Sequence, residues 1–242
     1  MHIHTVLSPC AELEMGAKEI VKKCLAEGIN IIAISDHNAT ANSLAVIEAA
    51  KGKPLTVLPA LEVQSREDIH TVCVFPYFEE ALLFQEWAWK RLAPIKNDPN
   101  LFGFQMIIDE ENNILDEVET LLIQGIDASV DDIIEEVKRR GGMSILAHVD
   151  RSAYSYLAVL GIIPPNLKID AVELSARLSS KEALTWKEQA LSYTIIRSSD
   201  AHRLSDIKRE HATPIVLKSP SFDEIALALH SQGERMVIWP WS

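Results

Sequence analysis

Apolar positions along this chain alternate between two periods. In "GAKEIVKKCLAEGINIIAIS", Ala17, Ile20, Val21, Cys24 and Leu25 recur at the spacing of one helix face, and Gly28 supplies the stop. "INIIAIS" then runs apolar without interruption, which predicts a strand buried on both faces. "SVDDIIEEVKRRGGMSILAH" repeats the layout. Ser129 is the N-cap with Asp132 three residues on, Ile133, Ile134 and Val137 form the apolar face, Gly141 ends the helix, and 143–147 is the strand. "SFDEIALALHSQGERMVIW" is a third copy, with Ser221, Glu224 and Gly233 in the equivalent places. Further strands are predicted over 55–59, 70–75, 169–174, 194–198 and 214–217, and helices over 40–50 and 79–91. Strands alternating with helices imply a mainly parallel α/β sheet, open or closed into a barrel. Segment 94–124 breaks the rhythm. Its "KNDPNLFG" and "DEENN" are turn-rich, and "FQMIIDEENNILDE" has the pattern of an excursion hairpin. We read it as an insertion in a single domain spanning 1–242.

Composition narrows the picture. The 242 residues are 48% hydrophobic and 24% charged, enough for a substantial core. The formal net charge of −12 argues against a nucleic-acid partner, because phosphate neutralisation uses Lys and Arg. An acidic protein acting on an anion needs bound cations. Cys10, Cys24 and Cys73 form no CxxC pair, so a reducing, cytoplasmic setting is expected. No apolar run approaches the ~20 residues of a membrane span, and no signal-peptide pattern opens the chain.

The histidines carry the chemistry. His37 and His202 fall just past predicted strands, and His148 ends "SILAH". His2 and His4 sit at the end of what would be a first strand, while His70 opens the strand "HTVCVF", the less typical end. His211 and His230 read as surface residues. In parallel α/β proteins, ligands gather at the carboxyl ends of strands, so histidines from separate strand ends converge. In "HIH" the two rings share one face, roughly 7 Å apart along the backbone, and can close on one ion. "SDH" at 35–37 and "SDAH" at 199–202 pair imidazole with carboxylate, and Glu62 in "PALEV" follows the strand 55–59. Imidazoles with carboxylates suit Zn, Mn or Fe. The donor set exceeds what one zinc site uses, which points to two or three divalent ions. Asp36 suits a ligand-orienting role or a turn before the helix at 40. Cys10 suits a soft metal ligand or a small buried apolar residue. Arg151, Arg177 and Arg203 lie just beyond rim positions and suit phosphate binding or a plain surface, Arg151 best. No GxGxxG, P-loop, GxSxG or HExxH motif is present.

The ordered set "HIHT", "SDHN", "LEV", His70, "AHVD" and "SDAH", from residue 2 to 202, resembles the PHP (polymerase and histidinol phosphatase) family. The resemblance implies a distorted (β/α)7 TIM-like barrel with a metal cluster at the carboxyl rim. One ion would take His2, His4, Glu62 and Asp200, and a second would share Glu62 and take His70 and His148. A third would take His37, His202 and a loop residue whose nearest match here is Cys10. Asp36 matches a carboxylate that orients the site. "AHV" stands where "AHP" is commoner, and the strand that usually leads into HxH is missing before Met1, so that either the natural protein extends further upstream or the first barrel strand is very short. The implied activity is hydrolysis of a phosphate mono- or diester of a small metabolite or nucleotide by a metal-activated water. His37, His148, Asp200 and His202 are the candidate catalytic residues, and Arg151 and Arg177 the candidate substrate contacts. Alternatives are a non-catalytic metal- or partner-binding module, a nuclease or proofreading domain, and a C–N hydrolase. The charge counts against the nuclease, and no Lys at a predicted strand end supports the C–N hydrolase.

Overall fold

The computed structural model describes residues 1–189 and 193–241. In chain order the strands are β1 (Ile31–Ile34), β2 (Thr56–Gln64), β3 (His70–Val74), β4 (Met106–Ile108), β5 (Ile114–Glu117), β6 (Met143–Leu146), β7 (Ala171–Ser175), β8 (Ile195–Ser198), β9 (Ile215–Val216) and β10 (Met236–Val237). The helices are α1 (Ala17–Ala26), α2 (Ala41–Ala49), α3 (Phe78–Trp89), α4 (Val130–Arg139), α5 (Tyr156–Leu160), α6 (Ser180–Gln189) and α7 (Phe222–Leu229). Six strands make one curled sheet in the order β1-β2-β3-β6-β7-β8. Its two edges are joined by a single residue: Ile3 bridges Ile34 on one side and Ala201 on the other, both in parallel. The architecture is a distorted TIM-like α/β barrel, and the "HIH" segment enters it through this one-residue bridge.

Strand parity builds the interior. Ala33 of β1, Leu58 and Ala60 of β2, Val72 and Val74 of β3, Met143 and Ile145 of β6, Ala171 of β7 and Ile196 of β8 form one buried cluster. Ile225 and Leu229 of α7 join it and plug one end. Intervening residues face outward under the helices. Ile32 and Ile34 pack with Ile20 and Val46, Leu61 and Val63 with Phe84 and Ile133, and Val172 and Leu174 with Tyr156. The period of two in the strands therefore separates an inner from an outer apolar layer.

One strand runs against the rest. β3 is antiparallel to both β2 and β6, whereas β1–β2, β6–β7 and β7–β8 are parallel. The first residue of β3 therefore lies at the same rim as the last residues of its parallel neighbours. This corrects the expectation that His70 stands at the unusual end.

β2 also runs to Gln64, not to 59, so Glu62 lies within the strand and not beyond it. The first half of β2 pairs with β1 and the second half with β3, which extends the ladder past Pro59. The third helix–glycine–strand copy does not enter the main sheet, because β10 pairs only with β9 in a separate ribbon. The hairpin expected at 104–117 is present as β4–β5. Ser129 and Asp132 form the expected capping box on α4. Among the described residues no helix is long and apolar enough to cross a membrane.

Glu224, in the first turn of α7, receives two bonds from the Arg235 guanidinium at 2.9 and 2.7 Å and one from the Lys218 amide. These partners hold its carboxyl at about 2, below the ordinary 4.5. A depressed carboxyl stabilises the fold above its unfolded value and loses that contribution as pH falls through the folded one. Glu224→Gln is therefore expected to lower the urea midpoint at pH 7. The gap to wild type should close as pH drops from 4.5 toward 2. A gap that persisted unchanged at the acid end would contradict this linkage.

Candidate metal centre

The inner stripe of β2, β3, β7 and β8 turns from apolar to polar as it reaches the rim. Leu58 and Ala60 are followed at the same parity by Glu62, Val74 and Val72 by His70, Ala171 by Glu173, and Ile196 by Ser198 and Asp200. In the bridging segment Ile3 packs outward, so His2 and His4 face in. His148 has the outward parity after Ile145 and Ala147. It takes the left-handed conformation, φ 31°, which re-aims it where β6 ends. Asp200 is left-handed too, φ 45°. Such conformations in non-glycine residues are uncommon, store strain and concentrate at functional sites.

Glu62 stands at the centre and is 1% exposed. Its Oε1 lies 2.9 Å from His70 Nδ1, 3.1 Å from His148 Nε2 and 3.3 Å from His2 Nε2. Its Oε2 lies 3.1 Å from His37 Nδ1 and 3.4 Å from His4 Nε2. Each oxygen thus faces a different set of imidazoles. Burial alone would raise this carboxyl, but His70, His2 and His37 hold it well below the ordinary range. Asp200 Oδ1 adds contacts to His2 Nε2 at 3.3 Å and His4 Nε2 at 3.2 Å, and its Oδ2 pairs with Arg151 Nη2 at 2.7 Å. Burial opposes ionisation of Asp200 as well, and His2 and His4 overcome it.

Outer partners fix how the rings are presented. His2 Nδ1–H donates to Glu173, 3.0 and 3.1 Å from its two oxygens, leaving Nε2 toward Glu62 and Asp200. His4 Nδ1–H donates to Ser8 Oγ at 2.9 Å, and Ser8 in turn donates to Asp36 at 2.7 Å. Asp36 also accepts from the Thr5 amide at 2.7 Å and hydroxyl at 2.8 Å. It therefore sits behind the cluster, linked to His4 through Ser8. His202 Nδ1–H donates to the Asp200 carbonyl at 3.1 Å. Burial and the neighbouring His202 lower His4 to about 4, and burial, with His4, His70 and His202 close by, holds His37 well below its usual value. His2, despite its burial, is raised well above its usual value by Glu173, Glu62 and Asp200.

The donor set fits divalent cations. His2, His4, Glu62 and Asp200 each bring a ligand atom within 4.8 Å of the others, as do His4, His37 and His202, and His37, Glu62 and His70. The Nε2 atoms of His2 and His4 face each other at 3.2 Å while each Nδ1 already donates elsewhere. Two nitrogens on a tetrahedral ion at about 2.0–2.1 Å stand about 3.3 Å apart, so an ion resolves this opposition. His70 Nε2 and His148 Nδ1 are buried with no hydrogen-bond partner. Asp36, Glu62 and Glu173 are buried and Asp200 nearly so, yet among the described residues only one Lys or Arg, Arg151, forms an ion pair with any of the four. Burying that much negative charge without cations is costly.

All eight expected His, Glu and Asp ligands therefore meet in one cluster. Their grouping differs in detail from the expectation: His4 joins His37 and His202, His37 also joins Glu62 and His70, and His148 approaches through Glu62 Oε1. Cys10 belongs to none of these groups. It is exposed and lines a 360 Å³ cavity at the rim with Arg151, Arg177, Asp200, His202, Arg203 and Asp206. Arg151 and Arg177 thus open onto one space beside the cluster, while Arg203 pairs with Glu12. His211 and His230 lie elsewhere, bonded to the Asp206 carbonyl and to Asp170. Two residues escaped the sequence reading. Ser8 carries no signal of its own. Glu173 carried one: a charged residue at an inward position of "AVELS", between apolar neighbours.

Replacing His4 by Ala or Asp200 by Asn is expected to remove at least one bound ion per chain, measured by plasma mass spectrometry after desalting. Unchanged metal content in both variants would exclude this ligand assignment.

No protein-family profile matches the chain, and no curated protein is significantly similar in sequence. Solved structures are similar in fold. The lesion-specific endonuclease PfuEndoQ from Pyrococcus furiosus aligns over 98% of this chain at 17% identity with a TM-score of 0.70. This chain spans only 56% of that endonuclease. A protein from Bifidobacterium adolescentis assigned as a metal-dependent phosphoesterase aligns over 96% of this chain and 95% of its own, at 18% identity and TM-score 0.58. A two-domain protein from Bacteroides vulgatus containing a predicted PHP-like metal-dependent phosphoesterase aligns over 98% of this chain and 63% of its own, at 16% identity and TM-score 0.56. The chain thus has the fold of the PHP-like phosphoesterases that its ordered histidine and carboxylate motifs resemble.

Proposed function

We propose that this protein is a metal-dependent hydrolase of phosphate esters, built as one barrel domain over 1–242 with an insertion at 94–124. Residues 2–4 count as the first of seven barrel strands. The observation that carries the reading is Glu62, a buried carboxylate whose two oxygens face five imidazoles from four segments of the chain. Such a group would hold cations together with those imidazoles. Two or three ions of the Zn, Mn or Fe type suit the donors. His2, His4, Glu62 and Asp200 would hold one, and His37, His70, His148 and His202 would complete the rest, with Glu62 shared. When bound, the ions supply Lewis-acid polarisation of a phosphoryl oxygen and a water acidified to near neutrality.

The protein's own groups do the remaining work. Arg151, fixed by Asp200 at 2.7 Å and opening onto the rim cavity, binds a non-bridging phosphate oxygen. Arg177, on the same cavity, meets the remaining negative charge. His202 is only partly buried there, and with Nδ1 committed to a carbonyl its Nε2 is the atom left to ligate an ion. The substrate fitting this reading is a small phosphorylated metabolite or nucleotide. A second reading, cleavage of damaged nucleic acid, draws support from the likeness to PfuEndoQ over nearly the whole chain. The net charge of −12 argues against it.

Protein loaded with Mn2+ or Zn2+ is expected to hydrolyse aryl phosphate mono- or diesters, and a chelator should abolish turnover. If only lesion-bearing duplex were cut, the second reading would replace the first. Loss of all ester hydrolysis with metal bound would favour a non-catalytic module. Arg151→Ala is expected to lower kcat/KM by about 10- to 100-fold, the value of a charge-assisted contact to phosphate. An unchanged kcat/KM would remove Arg151 from the substrate site.

A further inference from the structure

We infer that Glu173 is the positioning residue that makes His2 a metal ligand and ties it to His148. This inference rests on the metal-centre reading above.

Glu173 is 1% exposed, on the inner face of β7, one inward position beyond the apolar Ala171. A carboxylate accepts only, so the Nδ1 of His2 must carry the hydrogen that meets it at 3.0 and 3.1 Å. The lone pair of neutral His2 is then confined to Nε2, the atom aimed at Glu62 and Asp200. In the other tautomer, Nε2–H would point into the cluster and His2 could not ligate. The same carboxylate reaches a second element. Its Oε1 accepts the backbone N–H of His148 at 3.3 Å, and the Glu173 carbonyl accepts the Val149 N–H at 2.9 Å. His148 sits there with φ 31°, a conformation that needs external support. One side chain therefore sets the tautomer of one ring and pins the turn that carries another. The two rings stand 6.1 Å apart, nearly parallel, on either side of Glu62 Oε1.

Two consequences separate this role from plain packing. Removing the charge while keeping the shape should weaken metal binding, and it should do so at the ions served by His2 and by His148 together. Outer partners of ligating histidines typically govern affinity by about 10- to 100-fold. Glu173→Gln is near-isosteric and can still accept the His148 amide, so it tests the charge. Glu173→Ala removes both contacts and should be at least as severe.

Zn2+ affinity measured by competition with a chromophoric chelator is expected to fall by about 10- to 100-fold in Glu173→Gln. Long-range 1H–15N spectra of Zn2+-loaded wild type should show His2 protonated at Nδ1, and Glu173→Gln should populate the other tautomer. Wild-type affinity and an unchanged His2 tautomer in Glu173→Gln would overturn the role of Glu173 while leaving the metal centre intact. Wild type without Zn2+ affinity would overturn both. Should the variant not fold, an unprotonated His2 Nδ1 in the zinc-loaded wild type would by itself overturn the proposal.

Discussion

Glu62 is the constraint on which the rest of the structure depends. A carboxylate with 1% exposure in the mouth of a barrel is tolerable only if positive or proton-donating groups surround it. Five imidazoles do so, and they come from the bridging segment, the turn after β1, the start of β3 and the turn after β6. Every one of those elements must be in register for the charge to be met. The barrel is therefore specified at its rim by chemistry as well as along its length by packing. The outer carboxylates extend the same logic. Glu173 and Asp36, the latter through Ser8, hold the second nitrogen of His2 and His4, so the rings cannot rotate away from the centre.

The antiparallel strand has a functional consequence. In a wholly parallel barrel the residue at the start of β3 would lie at the floor. Here β2 returns directly into β3 through a tight turn, with Ser65 accepting and donating across it. That reversal lifts His70 to the rim and places it against Glu62, its partner eight residues earlier. A local hairpin thus brings two members of the cluster together at low loop-closure cost. The other members depend on long-range closure, above all on Ile3, which joins β1 to the segment after β8.

The acidic charge of the chain becomes intelligible at this site. Four carboxylates share the cluster region, and among the described residues Arg151 alone of the Lys and Arg side chains pairs with any of them. The rim cavity beside them is lined by Arg151, Arg177 and Arg203 as well as by Asp200 and Asp206.

Much of this was legible in the residues alone. The helix–glycine–strand rhythm set the α/β class, because periods of 3.6 and 2 and a positive-φ stop are local properties. The residues of the cluster were legible because His and Asp at strand ends need no knowledge of partners to be noticed. Tertiary structure decided what depends on pairing. The direction of β3 set which end of it faces the rim, and the β2–β3 ladder carried the strand past Pro59 to enclose Glu62. The left-handed turn at 148 reversed the face that parity would assign. Cys10 and the histidines sit in equally suggestive sequence, yet only the fold excludes the thiol from the clusters and brings Glu173 in. Parity along a strand is written in the sequence; which strand stands next to which, and in what direction, follows only from closing the barrel.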